Sequence, residues 1–313
     1  MHTLRAVTDV TEVTRRLSPA VLALLAGPAM VFAQAGSRAP IILELPSGPR
    51  TLALGNTGVA GRDDDVIFFN PAQVAIANGF SVSGERFSET SGSGALSAVT
   101  RFNGSGGIAI GMRLANYELP QGVYPATRLT LLDPGTSASM SAEASIAYAQ
   151  PFKGTRIGVA AKYAEDVTSS VRLGRALADV GLAHAFFGST FGLAVQNIGQ
   201  DMDVANGGTI QLPVLTTLGA SRAQIAGPFD LYGTAAIGML RDSRFEASGG
   251  LEAGYSWLSG YSIALRAGAR RRDAGIDPFT AGAGLTIDRM SIDYALETLS
   301  NNRLGNRIGI RIR

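Results

Sequence analysis

The chain has 313 residues, with 27 basic and 25 acidic side chains and a formal net charge of +2, so charge gives no case for nucleic-acid binding. Glycine, at 39 of 313, exceeds the usual ~7% without the triplet period of collagen. Cysteine is absent, which excludes disulfides, thiolate metal sites, a cysteine nucleophile and a lipid-modified N-terminal cysteine.

Residues 1–35 read as a secretory signal peptide. Arg15 and Arg16 supply positive charge, Ala20–Ala33 is the apolar region, and Ala33-Gln34-Ala35 is an A-x-A site with cleavage expected before Gly36. Pro19, Pro28 and the short apolar length argue against an anchor, because a helical span needs about 20 apolar residues. Asp9 and Glu12 make the start of this leader atypical.

Residues 36–78 follow neither helical nor strand periodicity over most of their length. Within Arg50–Gly79, Asn70-Pro71-Ala72 is a helix start, since Asn70 can cap free N–H groups and Pro71 suits the first helical position. A short helix Pro71–Ala77 is expected to end at Asn78-Gly79. Gly55, Gly58 and Gly61 recur every three residues, as suits a backbone pressed against another surface. Asp63-Asp64-Asp65 lacks the spaced ligands of a calcium loop and reads as an acidic turn, solvated or paired with arginine.

From Gly79 onward period-2 alternation dominates. Fourteen segments alternate, near 79–87, 95–103, 106–114, 140–150, 155–164, 177–186, 190–197, 213–222, 228–239, 245–257, 260–270, 279–287, 290–298 and 306–313. Their lengths approach the ~9–11 residues of a tilted membrane strand. Connections after odd segments are long, chiefly Ala115–Ser139 and Ile198–Leu212, and those after even segments are short. That sorting and the even count indicate an all-β, transmembrane outer-membrane barrel of antiparallel strands. One face of each segment is apolar. The other carries Glu246, Glu252, Arg266, Arg270, Asp293, Glu297, Arg307 and Arg311. These are expected to form a lumen charge network, Asp293/Glu297 facing Arg307/Arg311 and Glu246/Glu252 facing Arg266/Arg270. Tyr148, Tyr163, Phe186, Phe191, Tyr255, Trp257, Tyr261 and Phe279 lie near segment ends, as interfacial aromatics do. A closed barrel leaves residues 36–78 one place, the lumen, as a plug; residues 79–313 form the wall.

Catalytic chemistry is not expected. The histidines are His2, in the leader, and His184, on an apolar strand face. The glycines at 55, 58 and 61 do not match a nucleotide-binding fingerprint. No cofactor and no metal site is expected.

Arg50–Ala60, the acidic run, and Phe68-Phe69-Asn70-Pro71-Ala72 resemble the N-terminal signature of PorV/PorQ-type outer-membrane proteins. A similar stretch ending in Asn-Pro-Ala occurs in the hatch of FadL-type channels. The resemblance continues through Ala178–Leu182, Phe191–Gly199, Leu212-Pro213 with Leu218–Ala220, Ala264–Gly268 and Ser291–Ala295. It implies a fourteen-stranded FadL-like barrel with an N-terminal luminal hatch. The chain departs from it by ending on Arg313, where such barrels carry an aromatic residue that the barrel-insertion machinery reads. The implied function is secretion-associated or hydrophobic-compound transport at the cell outer membrane, in contact with its lipid. The partner is then a secreted protein cargo or a hydrophobic ligand. The alternatives are a FadL-type channel for hydrophobic small molecules and a structural barrel without cargo. Val66, Ile67, Phe68 and Phe69 are candidates to line a solute path.

Overall fold

The computed structural model describes residues 40–88, 91–102, 106–118, 138–167, 172–204, 208–258, 260–271, 277–299 and 304–313. The expected signal peptide and most of the Ala115–Ser139 loop lie outside them. Sixteen strands follow in chain order: β1 (Gly79–Arg86), β2 (Gly92–Phe102), β3 (Gly106–Glu118), β4 (Ala138–Phe152), β5 (Thr155–Val167), β6 (Arg172–Phe186), β7 (Ser189–Ile198), β8 (Met202–Val204), β9 (Gly208–Ile210), β10 (Leu215–Ala226), β11 (Phe229–Leu240), β12 (Phe245–Leu258), β13 (Tyr261–Arg270), β14 (Phe279–Ile287), β15 (Met290–Thr298) and β16 (Leu304–Ile312). Fourteen of them close an antiparallel barrel, and β8 and β9 form a separate hairpin.

Closure is made by β1 on β16, with Phe80 opposite Ile312 and Val82 opposite Ile310. In lipid this pairing is obligatory, because an open edge would leave N–H and C=O groups unsatisfied. Alternation sets which side faces out. On β16, Ile308, Ile310 and Ile312 are 57%, 49% and 48% exposed, whereas Arg307 and Arg311 are 0% and 9%. The apolar face therefore meets lipid and the charged face the lumen, the reverse of a soluble barrel. All eight aromatics expected at the interfaces are outward and exposed. Trp257 and Tyr261 flank one short turn with ring centroids 6.2 Å apart. His184 is also outward, beside Phe186.

Strand ends differ from the periodic reading mainly where hairpins run longer, although β10 begins later, at Leu215. β4 and β6 begin earlier than 140 and 177, and Val167 still pairs with Arg172. Beyond the lipid a hairpin continues on backbone pairing alone, so apolar alternation stops before the ladder does. The β8–β9 hairpin inside Ile198–Leu212 was too short to carry a period. Its Met202 and Ile210 are buried with Leu212, Leu173, Leu177 and Ile42 in an apolar cluster at the long-loop mouth.

Residues 40–78 occupy the lumen. A 3-10 turn, Ile41–Glu44, leads to a single-turn helix α1 (Pro49–Ala53), then to the 3-10 turns Asp64–Phe68 and Pro71–Ala75. Asn70 caps the last of these, its Oδ1 accepting from the Ala72 N–H at 3.0 Å. The element is a 3-10 turn ending at Ala75, shorter than the helix to Ala77 expected from the sequence. The following Ile76 has left helical geometry at φ −123°, and Gly79 already opens β1.

Candidate functional site

The plug is held by two unlike surfaces. Its first half, from α1 to Asp65, meets β12–β16 through charge. Arg50 donates from Nε and Nη2 to both oxygens of Glu252, each at 2.8 Å. Glu252 also accepts from Arg266 Nε at 2.5 Å. Arg266 Nη1 reaches Asp293 at 2.7 Å, and Asp293 pairs with Arg311 Nη2 at 3.0 Å. Arg311 Nη1 bonds Asp63 at 2.7 Å, and Asp63 returns to Arg50. Three guanidiniums and three carboxylates thus alternate in a closed ring. Arg50 and Asp63 belong to the plug, and the other four belong to β12, β13, β15 and β16. Arg313 adds a further bond to Asp63.

Of the expected lumen network, Glu252, Arg266, Asp293 and Arg311 are in this ring. Arg270 pairs with Glu297 across an intervening strand, and Glu297 also acts on Arg307 through space. Arg307 bonds Glu85 on β1, at 3.1 Å from Nε and 2.8 Å from Nη2, and donates to Ser93 and to the Ser47 carbonyl of the plug. Glu246 lies exposed at the start of β12. A further buried network was not anticipated. Arg113 pairs with Glu143, and Lys162 Nζ lies 2.6 Å from Asp179 and 3.7 Å from Glu143. Arg113 also donates to the plug at Leu45 O, 2.9 Å. The acidic partners Glu143 and Asp179 stand within strands that read as merely alternating, so only their inward register could have flagged them.

The second half of the plug, Val66–Ala77, is held by close packing. Val66, Ile67, Phe68 and Val74 are buried against Val99, Ala109, Ala147, Ala149 and Ala160, with Phe69 partly buried beside them. None of Val66–Phe69 borders the large lumen cavity. Asn70 Nδ2 spans plug and wall, bonding Val59 O at 2.8 Å and Leu182 O at 3.1 Å. Glycine makes this approach possible, but mostly from the wall. A Cβ on Gly158 would stand 2.3 Å from Ala72 N, and one on Gly181 would stand 2.0 Å from Asn70 Oδ1. Gly192 and Gly219 fit against Val59, and Gly250 and Gly268 against Leu54 and Gly55. Each of these three pairs is directly opposed across neighbouring strands. Of the plug's own glycines, Gly55 abuts the wall at Ala269 O. Gly58 packs on the Phe69 ring and Gly61 on Gly58, so the triplet spacing folds the plug on itself rather than on the barrel.

Electrostatics separate the three aspartates. Burial opposes ionisation of Asp63, but Arg50, Arg311 and Arg313 outweigh it and hold the carboxyl well below the usual range. Asp65 is buried too, and Arg311 is the one cation that pulls on it, weakly. Burial, then Asp63 and Asp64, push it up to about 7, against the pull of the Thr51 hydroxyl. Because its docked value lies above the free value of 3.8, the docked plug takes up a proton. This Asp65 contribution favours docking most below pH 4 and weakens by up to about 1.4 kcal/mol per pH unit as pH rises towards 7, while the Asp63 contribution runs the opposite way and is lost in acid. Asp65→Asn should flatten this slope, leaving the smaller part that buried Asp64 contributes. Amide exchange of residues 49–68, followed from pH 4.5 to 7.5 in both proteins, measures it.

Between the charged half of the plug and β10–β16 lies a cavity of about 800 Å³, lined by Arg50, Arg62, Tyr232, Glu252, Arg266, Arg311 and Arg313 among others. No protein-family profile matches the sequence, and no curated protein matches it. Solved structures do. The barrel is similar to the Pseudomonas putida toluene transporter TodX, with TM-score 0.53 and 12% identity over 86% of this chain and 97% of that one. The Ralstonia pickettii toluene transporter TbuX gives TM-score 0.52 and 13% identity over 86% and 98%. The CymD monoaromatic hydrocarbon channel gives 0.54 and 12% over 88% and 98%. At such identities the likeness is one of fold: a barrel fold shared with toluene transporters and a monoaromatic hydrocarbon channel.

Proposed function

We propose that this chain is a non-enzymatic, plug-gated transport barrel of the outer membrane, passing hydrophobic small molecules. The carrying observation is a lumen closed by the chain's own segment 40–78, in a fold shared with channels for toluene and other monoaromatic hydrocarbons. The apolar cluster of Ile42, Leu173, Leu177, Met202, Ile210 and Leu212 at the long-loop mouth offers such a solute its first surface. Val66–Phe69 would line its route once the plug is displaced. In the docked state these four are packed, so passage requires the plug to move.

A second reading, secretion-associated and PorV/PorQ-type, is favoured by the ordered motifs from Arg50–Ala60 to Ser291–Ala295. In it the long loops hold an exported protein at the surface. Toluene uptake by cells with and without the protein tests the first reading. A several-fold faster uptake with the protein is expected. Equal uptake, together with loss of a surface protein when the chain is deleted, would transfer the assignment to the second.

A further inference from the structure

We propose that the short-turn half of the lumen is a binding site for a soluble, hydrophilic anion carrying two or more phosphate groups. This goes beyond the hydrophobic-transport reading, and concerns a different ligand at the opposite mouth. The site is the cavity of about 800 Å³ between the plug and β10–β16. Six arginines border it, Arg50, Arg62, Arg266, Arg289, Arg311 and Arg313, against the three carboxylates Asp230, Glu252 and Asp288.

Ion pairs engage four of the six arginines. Arg50, Arg266 and Arg311 are engaged in the ring with Glu252, Asp63 and Asp293. Arg313 has a share in Asp63, which already serves two other guanidiniums. Among the described residues no ion pair reaches Arg62 or Arg289, and both are exposed. Arg62 also lies over an aromatic ring. Its guanidinium carbon lies 5.4 Å from the centroid of the Tyr232 ring, on which Arg50 stacks at 4.8 Å. Stacking fixes the plane of a guanidinium and leaves its N–H edge available for two oxygens at once, the geometry that phosphate satisfies.

The rest of the lining mixes apolar residues such as Ile225, Leu231 and Ile263 with groups that suit a polar body. Gln224, Ser262, Thr286 and Ser291 contribute amide and hydroxyl groups. The closed wall separates the cavity from bilayer lipid, and the short-turn mouth faces the periplasm in barrels of this design. The ligand is accordingly a periplasmic solute, not a headgroup.

Calorimetric titration of the full chain, folded in zwitterionic detergent at low salt, with inorganic pyrophosphate tests this. One saturable site is expected, weakening as salt is added, and weakening at least tenfold in the R62Q/R289Q double variant. Both positions are exposed, and unchanged heat-dependent gel mobility would show that the barrel still folds. Absence of saturable binding at millimolar pyrophosphate would overturn the proposal. So would equal binding by the double variant, or binding of dihexanoyl phosphatidylglycerol in place of pyrophosphate.

Discussion

Asp63→Ala should release the first half of the plug while leaving the barrel closed. Asp63 accepts from Arg50, Arg311 and Arg313, and among the described residues is the one carboxylate that ties Arg50 of the plug to β16. Removing it leaves Arg50 in a buried site with Glu252 alone, and Arg311 with Asp293 and, at 3.9 Å, Asp64. Breaking a buried pair from one side costs about 3–5 kcal/mol, because the remaining charge is left undercompensated. That cost falls on docking, since the fourteen-strand ladder does not use Asp63. Amide exchange across residues 49–68 should accelerate by at least two orders of magnitude, with the wall strands unchanged. Arg313→Gln is the comparison. Arg313 is half-exposed, so its loss should cost no more than about 1 kcal/mol. Equal exchange in wild type and D63A would show that the ring does not hold the plug.

How far the sequence reveals this arrangement depends on the kind of interaction. Strands are local: the alternation of Ile308, Ile310 and Ile312 with Arg307 and Arg311 places β16 and its inward face without any neighbour. The sorting of long and short connections is equally local, and it is what distinguishes a barrel in lipid from a soluble sandwich. The cap at Asn70 is legible because donor and acceptor are two residues apart. The ring is not. Arg50 and Glu252 are 202 residues apart, and their meeting depends on how deep α1 sits. The Arg270–Glu297 pair shows the same limit. Long side chains on a concave inner surface converge, so Arg270 reaches past β14, and adjacency of strands does not predict the partner. The wall glycines went unread for another reason. A residue without a side chain adds nothing to either face of a period-2 pattern, so Gly158 and Gly181 looked like gaps in a strand. The glycine surplus recorded them only as composition.

Those gaps support the last expectation, that G158V/G181V displaces the second half of the plug. The two positions oppose each other across β5 and β6. The atoms they would strike are Ala72 N, Pro71 C and Asn70 Oδ1, at 2.0–2.3 Å from the new Cβ. These belong to the capped 3-10 turn, and two are backbone, so no rotamer change relieves the clash. Overpacking costs about 1–3 kcal/mol at each site, and together they shift the docked population by roughly 10²-fold. The wall tolerates the change, because valine suits a strand at least as well as glycine does. Conductance of the folded double variant in planar bilayers should therefore rise well above wild type, with circular dichroism unaltered. Gly84, on the outward face of β1 where a Cβ would meet only Ser93 O at 3.8 Å, is the control, and G84V should conduct as wild type does. If G158V/G181V stays closed while D63A opens, the charged half alone gates the lumen and Val66–Ala77 is a fixed hinge. If both open, the two halves undock as one body.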